Sequence, residues 1–202
     1  MNAIVIYNSR RGATKRYAEY IAEKLGCRAV DVSYATAEDV QGADVVIYGG
    51  GIYAGAIAGS SFLDKMAEHI VPEHFIVFTT GLNDISNLSL LSMVMMRNVP
   101  DRLRRGCFEF HFYGALSYDS LKFMDRVMFR AMLSGIKAKK PEARDLRETA
   151  LLNIKKERVD LVDLSSAEPL IARALDIDAP RDDLPEPEPD MYDEDDDLYA
   201  DD

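Results

Sequence analysis

The sequence lacks the features that mark several specialised classes. No uninterrupted apolar run approaches the roughly 18 residues that span a bilayer. The opening residues, Met1-Asn2-Ala3-Ile4-Val5-Ile6-Tyr7, have no basic region followed by a long apolar stretch. A secretory leader is therefore not expected, and a cytoplasmic location is. Cysteine occurs only as Cys27 and Cys107, each opening a strand-like segment with no metal-ligand partner beside it. Two buried, reduced thiols are expected. Histidine occurs only as His69, His74 and His111, and no Ser-His-Asp or Cys-His set suggests a nucleophilic enzyme. No internal repeat is present.

What the chain has in excess is acid, and that acid is localised. Of its 35 acidic and 24 basic residues, twelve and one respectively lie between Ala179 and Asp202, leaving 23 of each sign in Met1 to Asp178. The first part is thus near neutral. The tail carries Pro180, Pro185, Pro187, Pro189 and the run Asp193-Glu194-Asp195-Asp196-Asp197. With few groups to bury and strong self-repulsion it is expected to be disordered, a solubilising appendage rather than a partner site. The 202 residues divide into one domain at 1–178 and a tail at 179–202.

Ala3 to Tyr7 (AIVIY) is a continuously apolar, β-branched run, the mark of a strand covered on both faces. After the turn Asn8–Thr14 comes a helical stretch, Lys15 to Leu25, with Ala18, Ile21, Ala22 and Leu25 on one face and Gly26 as its stop. Val30 to Ser33, Asp44 to Tyr48, Phe75 to Thr79 and Cys107 to Tyr113 supply four more strands, and Ser60 to Ile70 and Leu88 to Arg97 two more helices. Five strands alternating with helices predict an α/β fold, a parallel sheet sandwiched between helices. Right-handed connections gather the turns Asn8–Thr14, Gly49–Gly59 and Thr80–Asn87 on one edge, where a ligand site belongs.

The first of those turns carries the most chemistry. A loop leaving a strand and opening a helix offers backbone N–H groups and the positive end of a helix dipole, which suits a phosphate. Ser9 and Thr14 add hydroxyls, Gly12 lets the backbone close, and Arg10 and Arg11 bring positive charge. The Gly-Lys-Ser/Thr ending of a P-loop and the three spaced glycines of a dinucleotide fingerprint are both missing. On the loop alone, a phosphate site and an ordinary turn with a Thr N-cap remain equally open.

The other loops carry a resemblance. Tyr7-Asn8-Ser9-Arg10-Arg11-Gly12-Ala13-Thr14 is similar to the phosphate loop of flavodoxins, and Val45-Val46-Ile47 with Gly49-Gly50-Gly51-Ile52-Tyr53-Ala54-Gly55 resembles their second loop. The similarity is closer to the flavodoxin-domain group that includes the quinone-dependent protoporphyrinogen dehydrogenases, and it extends from residue 3 to about 175. It implies a flavodoxin-like three-layer sandwich with strand order 2-1-3-4-5 and FMN, bound without a covalent bond, over the ends of strands one and three. It also implies that Cys27 and Cys107 lie at opposite sheet edges, too far apart for a disulfide. Two positions depart from the pattern. Arg11 stands where single-domain flavodoxins usually carry a hydroxyl, and Gly51 where a small hydroxyl residue is common. Neither removes the backbone nest that anchors the phosphate. By the same resemblance Tyr53 lines the flavin (its alternative is an exposed loop tyrosine), and Thr80, Gly81, Leu82 and Asn83 meet the pyrimidine edge.

Beyond the fifth strand lies a segment, about 116–147, that a minimal flavodoxin lacks. It resembles the insertion of the protoporphyrinogen dehydrogenases. Within Asp119 to Ser134, Leu121, Met124, Val127, Met128, Ala131 and Met132 form a broad apolar face, and Phe129 and Leu133 fall among Lys122, Arg126 and Arg130. Between Arg97 and Arg147 there are twelve basic and six acidic residues. Two readings stay open. One is a platform for a quinone or porphyrinogen-type molecule, a protein partner, or the inner face of a membrane through 119–140. The other is a helix packed on its own domain. Nucleic acid is not expected, because the aromatics lie in apolar stripes. The chain then offers a strand at Val159 to Leu164 and a capping box, Ser165-Ser166-Ala167-Glu168, opening a last helix. The functions that follow are an FMN redox protein oxidising protoporphyrinogen or a similar substrate, an electron carrier docking with a redox partner, or a flavin-free interaction protein.

Overall fold

The computed structural model describes residues 2–116, 118–121, 123–154 and 158–179. The expected disorder of the acidic tail beyond Ala179 lies outside them. The chain begins β1 (Ala3–Asn8), α1 (Ala13–Leu25), β2 (Arg28–Asp31), α2 (Ala37–Gln41), β3 (Val45–Tyr53), β4 (Ala56–Ile57), α3 (Ser61–Met66) and β5 (Phe75–Gly81). It continues α4 (Leu88–Asn98), α5 (Asp101–Arg104), β6 (Phe108–Tyr113), β7 (Ala115–Leu116), α6 (Phe123–Ala138), α7 (Leu146–Asn153), β8 (Val159–Asp160) and α8 (Glu168–Leu175).

The long strands order as β2-β1-β3-β5-β6, every neighbour parallel. This is the expected 2-1-3-4-5 order. Strand periodicity divides the buried side chains between two cores. Ala3, Val5 and Tyr7 face Tyr17, Ala18 and Ile21 of α1 and Leu170 and Ile171 of α8. Ile4 and Ile6 face Leu63, Val94, Met95 and Leu103 of α3, α4 and α5. Each fully buried side chain of this size contributes about 1.5–3 kcal/mol. Cys27 is half-buried rather than buried and Cys107 is buried; they precede the two edge strands, and no disulfide joins them.

Two expectations about strands are corrected. The third strand does not end at Gly49; it continues to Tyr53 through the three glycines, whose missing Cβ atoms leave room for Phe78, Ile57 and Tyr53. Of the expected strand at Val159 to Leu164 only β8 forms, and it pairs antiparallel with β7, outside the main sheet. The capping box at Ser165 is absent too. Asp163 caps a short 3-10 turn, and Glu168 instead accepts a hydrogen bond from the Tyr20 hydroxyl.

The insertion builds a third core from Leu116, Leu121, Phe129, Leu133, Ile136, Leu151, Ile154 and Val159. It overturns the face expected of α6. Phe129, Leu133 and Ile136 point inward, while Met124, Val127 and Met128 are 65%, 46% and 49% exposed. The cause is α7, which the sequence reading did not identify. Its Leu151 and the following Ile154 meet the i, i+4, i+7 row of α6, so that row is the buried one. Asp145 and Glu148 cap α7 reciprocally, and the buried Glu148 carboxylate pairs with Lys139 at 2.5 Å. The chain leaves the sheet at Gly114 and returns beside it, the Leu161 N–H donating to the Gly114 carbonyl at 3.1 Å. Among the described residues no helix is long and apolar enough to cross a membrane.

Candidate functional site

The loop between β1 and α1 turns on Gly12, whose φ of +88° is costly for any residue with a Cβ. Helix α1 starts with no side-chain cap and no acidic residue in its first turn. Its N-terminal dipole therefore meets no competing carboxylate there. The Gly12 N–H donates to Ser9 Oγ at 3.1 Å. Thr14 is not the N-cap. It is 2% exposed, and its hydroxyl meets that of Thr80 at 2.8 Å, tying the first turn of α1 to the end of β5. Thr14→Val is expected to cost about 1–2 kcal/mol by stranding the Thr80 hydroxyl, and adding Thr80→Val to recover part of the loss. Urea unfolding of the four proteins measures this coupling.

The second loop is a tight hairpin. Ile52 and Tyr53 pair with Ile57 and Ala56 across Ala54 (φ +54°) and Gly55 (φ +78°), signs that match the two central residues of a type I′ turn. Asn98 of α4 locks it, donating to the Gly55 carbonyl at 2.9 Å and accepting from the Ile57 N–H at 3.0 Å. Tyr53 is half-buried. Its ring covers Gly51, where a Cβ would sit 2.8 Å from Tyr53 Cε2. The guanidiniums of Arg10 and Arg11 lie 4.7 and 4.9 Å from the ring centroid, cation–π distances. Burial raises the Tyr53 hydroxyl pKa, and the two arginines oppose that rise. Gly51 thus seats the tyrosine, which gives its lack of a hydroxyl side chain a packing reason.

The third loop, after β5, is fixed from the insertion. Arg147 of α7 donates to the Leu82 carbonyl at 2.7 Å and lies 3.9 Å from Asp84. Ser86 holds the Asp84 carboxyl pKa down through its hydroxyl and its N–H, with Arg147 adding to the effect.

These loops converge on a cavity of about 320 Å³. Of the fifteen residues expected at the site, Arg11, Ala13, Thr14, Ile52, Tyr53, Ala54, Gly55, Thr80, Gly81, Leu82 and Asn83 line it. Ser9, Arg10, Gly12 and Gly51 do not; Arg10 and Gly51 meet the Tyr53 ring, and Ser9 accepts from Gly12 in the turn before α1. None of the residues of the far wall is among those fifteen. It comprises Leu90 and Val94 of α4, together with Leu121, Met128, Phe129 and Met132 of the insertion. Asp125 closes one side through an ion pair with Arg11 at 2.9 Å. Arg147, Asn98 and Asp125 carried no sequence signal, since each acts on a segment far away in the chain. Among the described residues no cluster of His, Cys, Asp or Glu could hold a metal ion.

A family model described as the flavodoxin domain matches residues 4–143. The chain belongs to the flavodoxin domain family. Three solved structures to which it is similar are distant in sequence. The Streptococcus pneumoniae TIGR4 flavodoxin is 16% identical over 63% of this chain and 91% of its own, with a TM-score of 0.39. The two-electron reduced Megasphaera elsdenii flavodoxin is 13% identical over 55% and 85%, with a TM-score of 0.43. The flavodoxin, WrbA-like protein of Agrobacterium tumefaciens is 21% identical over 53% and 74%, with a TM-score of 0.38. No curated protein sequence matches. The family match covers all of α6 but ends before α7, so the wall supplied by Met128, Phe129 and Met132 is closed from behind by residues beyond it.

Proposed function

We propose that this flavodoxin-domain protein holds FMN in the cavity and exchanges electrons with a large apolar molecule of the porphyrinogen or quinone type. The observation that carries the reading is the continuity of one cavity from the uncapped N-terminus of α1 to the apolar face of the insertion. The donor set fits the cofactor. Backbone N–H groups at the start of α1, with Arg11, would take the phosphate. Ile52 and Tyr53 would flank the ring system, and the backbone of Gly81, Leu82 and Asn83 would meet its polar edge. Bound FMN would supply reversible electron transfer at its ring system.

The protein's own residues position, shield and select. Arg147 fixes the third loop through the Leu82 carbonyl, and Asn98 fixes the hairpin that carries Tyr53. The titratable side chains lining the cavity are Arg11, Tyr53 and Asp125. The tyrosine hydroxyl stays neutral at ordinary pH, and Asp125 is engaged by Arg11. This set suits electron or hydride transfer better than general-base chemistry. Phe123, Met124, Val127 and Met128 project from α6 beside Arg126 and Arg130, which would let the insertion rest on a membrane surface that holds quinone. A second reading, an electron carrier, is favoured by the exposed Met93 and Met96 of α4, an adaptable surface for a protein partner.

Reconstitution with excess FMN and removal of the free flavin tests the cofactor. Bands near roughly 375 and 450 nm with quenched fluorescence support it, and a colourless protein that binds no flavin at micromolar concentration refutes it. Porphyrinogen oxidation with menaquinone as acceptor then separates the two readings: no turnover by intact flavoprotein leaves the carrier.

A further inference from the structure

We propose that Asp125 of the insertion competes with the flavin phosphate for Arg11, so that loading of the cofactor releases α6 from the sheet. The inference rests on the FMN reading above. Arg11 stands on the phosphate loop and Asp125 on the first turn of α6; both line the cavity, and they are joined at 2.9 Å. Arg10, on the other hand, faces the Tyr53 ring, and among the described residues no carboxylate pairs with it. Among the described residues, the other polar contacts of α6 side chains stay inside the insertion, Arg126 with the Asp119 carbonyl and Arg130 with the Tyr118 hydroxyl, and so does that of Lys139 after the helix, with Glu148. The Arg11–Asp125 pair is therefore the ionic link, among the described residues, between α6 and the flavodoxin sheet.

A guanidinium shared between a carboxylate and an incoming dianion favours the dianion, with its greater charge and additional acceptor oxygens. Moving Arg11 to the phosphate leaves Asp125 beside a negative group that repels it, and the first turn of α6 loses its tether. Met128, Phe129 and Met132, which follow Asp125 on the same helix, form the far wall of the cavity. Riboflavin lacks the phosphate and would leave the pair intact. Asp125 thus acts as a selectivity residue, lowering the preference for the phosphorylated flavin and reporting its arrival to the apolar wall.

The test is a titration of wild type, Asp125→Asn, Arg11→Gln and the double variant with FMN and with riboflavin, followed by flavin fluorescence. Hydrogen exchange of residues 123–138 is recorded alongside. Asp125→Asn is expected to tighten FMN about fivefold, the value of a partly exposed ion pair, and to leave riboflavin unchanged. With Arg11 already replaced, Asp125→Asn is expected to have no effect. FMN, and not riboflavin, is expected to speed exchange in α6 of the wild type, and Asp125→Asn to show fast exchange without flavin. An equal shift for both flavins, or an undiminished Asp125→Asn effect without Arg11, overturns the coupling while leaving FMN binding in place. A wild type that binds neither flavin overturns both.

Discussion

Gly49→Ala is expected to lower the unfolding free energy by about 3 kcal/mol, the upper range for overpacking a core. A Cβ at Gly49 would lie 2.1, 2.5 and 2.8 Å from Cζ, Cε1 and Cε2 of Phe78. That ring has little room to yield. Phe78 is fully buried and tilts against Phe112 with centroids 5.7 Å apart, and Phe112 stacks on Tyr17 at 4.8 Å. Tyr17 is itself held at its hydroxyl, which donates to the Tyr113 carbonyl and accepts from the Asp163 N–H, both at 3.1 Å. Displacing Phe78 therefore disturbs β5, β6, α1 and the approach to α8 together. Urea unfolding measures the cost. The double variant Gly49→Ala, Phe78→Leu should be less unstable than the sum of its parts, because the shorter side chain vacates the space. A loss under about 0.5 kcal/mol for Gly49→Ala, the range of an innocuous surface change, would show that the ring moves freely and that the glycine is not required for packing.

Acid lability through His111 is the second large effect. Burial pushes the imidazole pKa down to about 4, and its Nδ1 lies 2.6 Å from the Thr79 hydroxyl. The unfolded chain binds a proton at this histidine near pH 6.5, while the folded chain resists until about pH 4. Between those values the unfolded state holds more protons, so stability is full above pH 6.5 and falls as the pH drops towards 4. The integrated loss is up to about 3 kcal/mol. Asp39, Asp84 and Asp101, whose carboxyl pKa values are lowered by arginine or serine hydrogen bonds, lose their contributions below that window. Unfolding by urea at pH 4.5, 5.5, 6.5 and 7.5 should give a steep profile for wild type and a flatter one for His111→Gln. Parallel profiles would mean that the folded protein charges His111 as readily as the unfolded chain does.

The sheet was legible because its strands are short apolar runs. AIVIY, DVVIY and FIVFT have no helical period, and each feeds a polar, glycine-bearing turn. The turn between β1 and α1 was legible for a similar local reason, its residues being contiguous. Other elements were hidden by weak local signals. Helix α2 has five residues and a capping box closed by Asp39 in place of the usual Glu or Gln. The glycine run looked like a flexible loop, since nothing in Gly49-Gly50-Gly51 announces that the space beside it is filled by Phe78, Ile57 and Tyr53. The orientation of α6 was misread because the apolar residues on its wheel outnumber the polar ones on nearly every side, so the buried row was decided by α7 rather than by α6 itself. Asp125, Asn98 and Arg147 show the same limit at the site: each reaches a group 41 to 114 residues away in the chain.

The return of the chain to Gly114 has a consequence for how such a protein can change over generations. Because the Leu161 N–H closes on the Gly114 carbonyl at 3.1 Å, the chain between them leaves and rejoins the sheet edge at one place. Additions, deletions and wholesale replacement there leave the register of the five parallel strands untouched. The third core can therefore be remodelled at the cavity wall provided that Arg147, which holds the third loop through Leu82 and Asp84, is kept. One wall of the cavity is free to vary, and the loops after β1 and β3 are anchored by the fold.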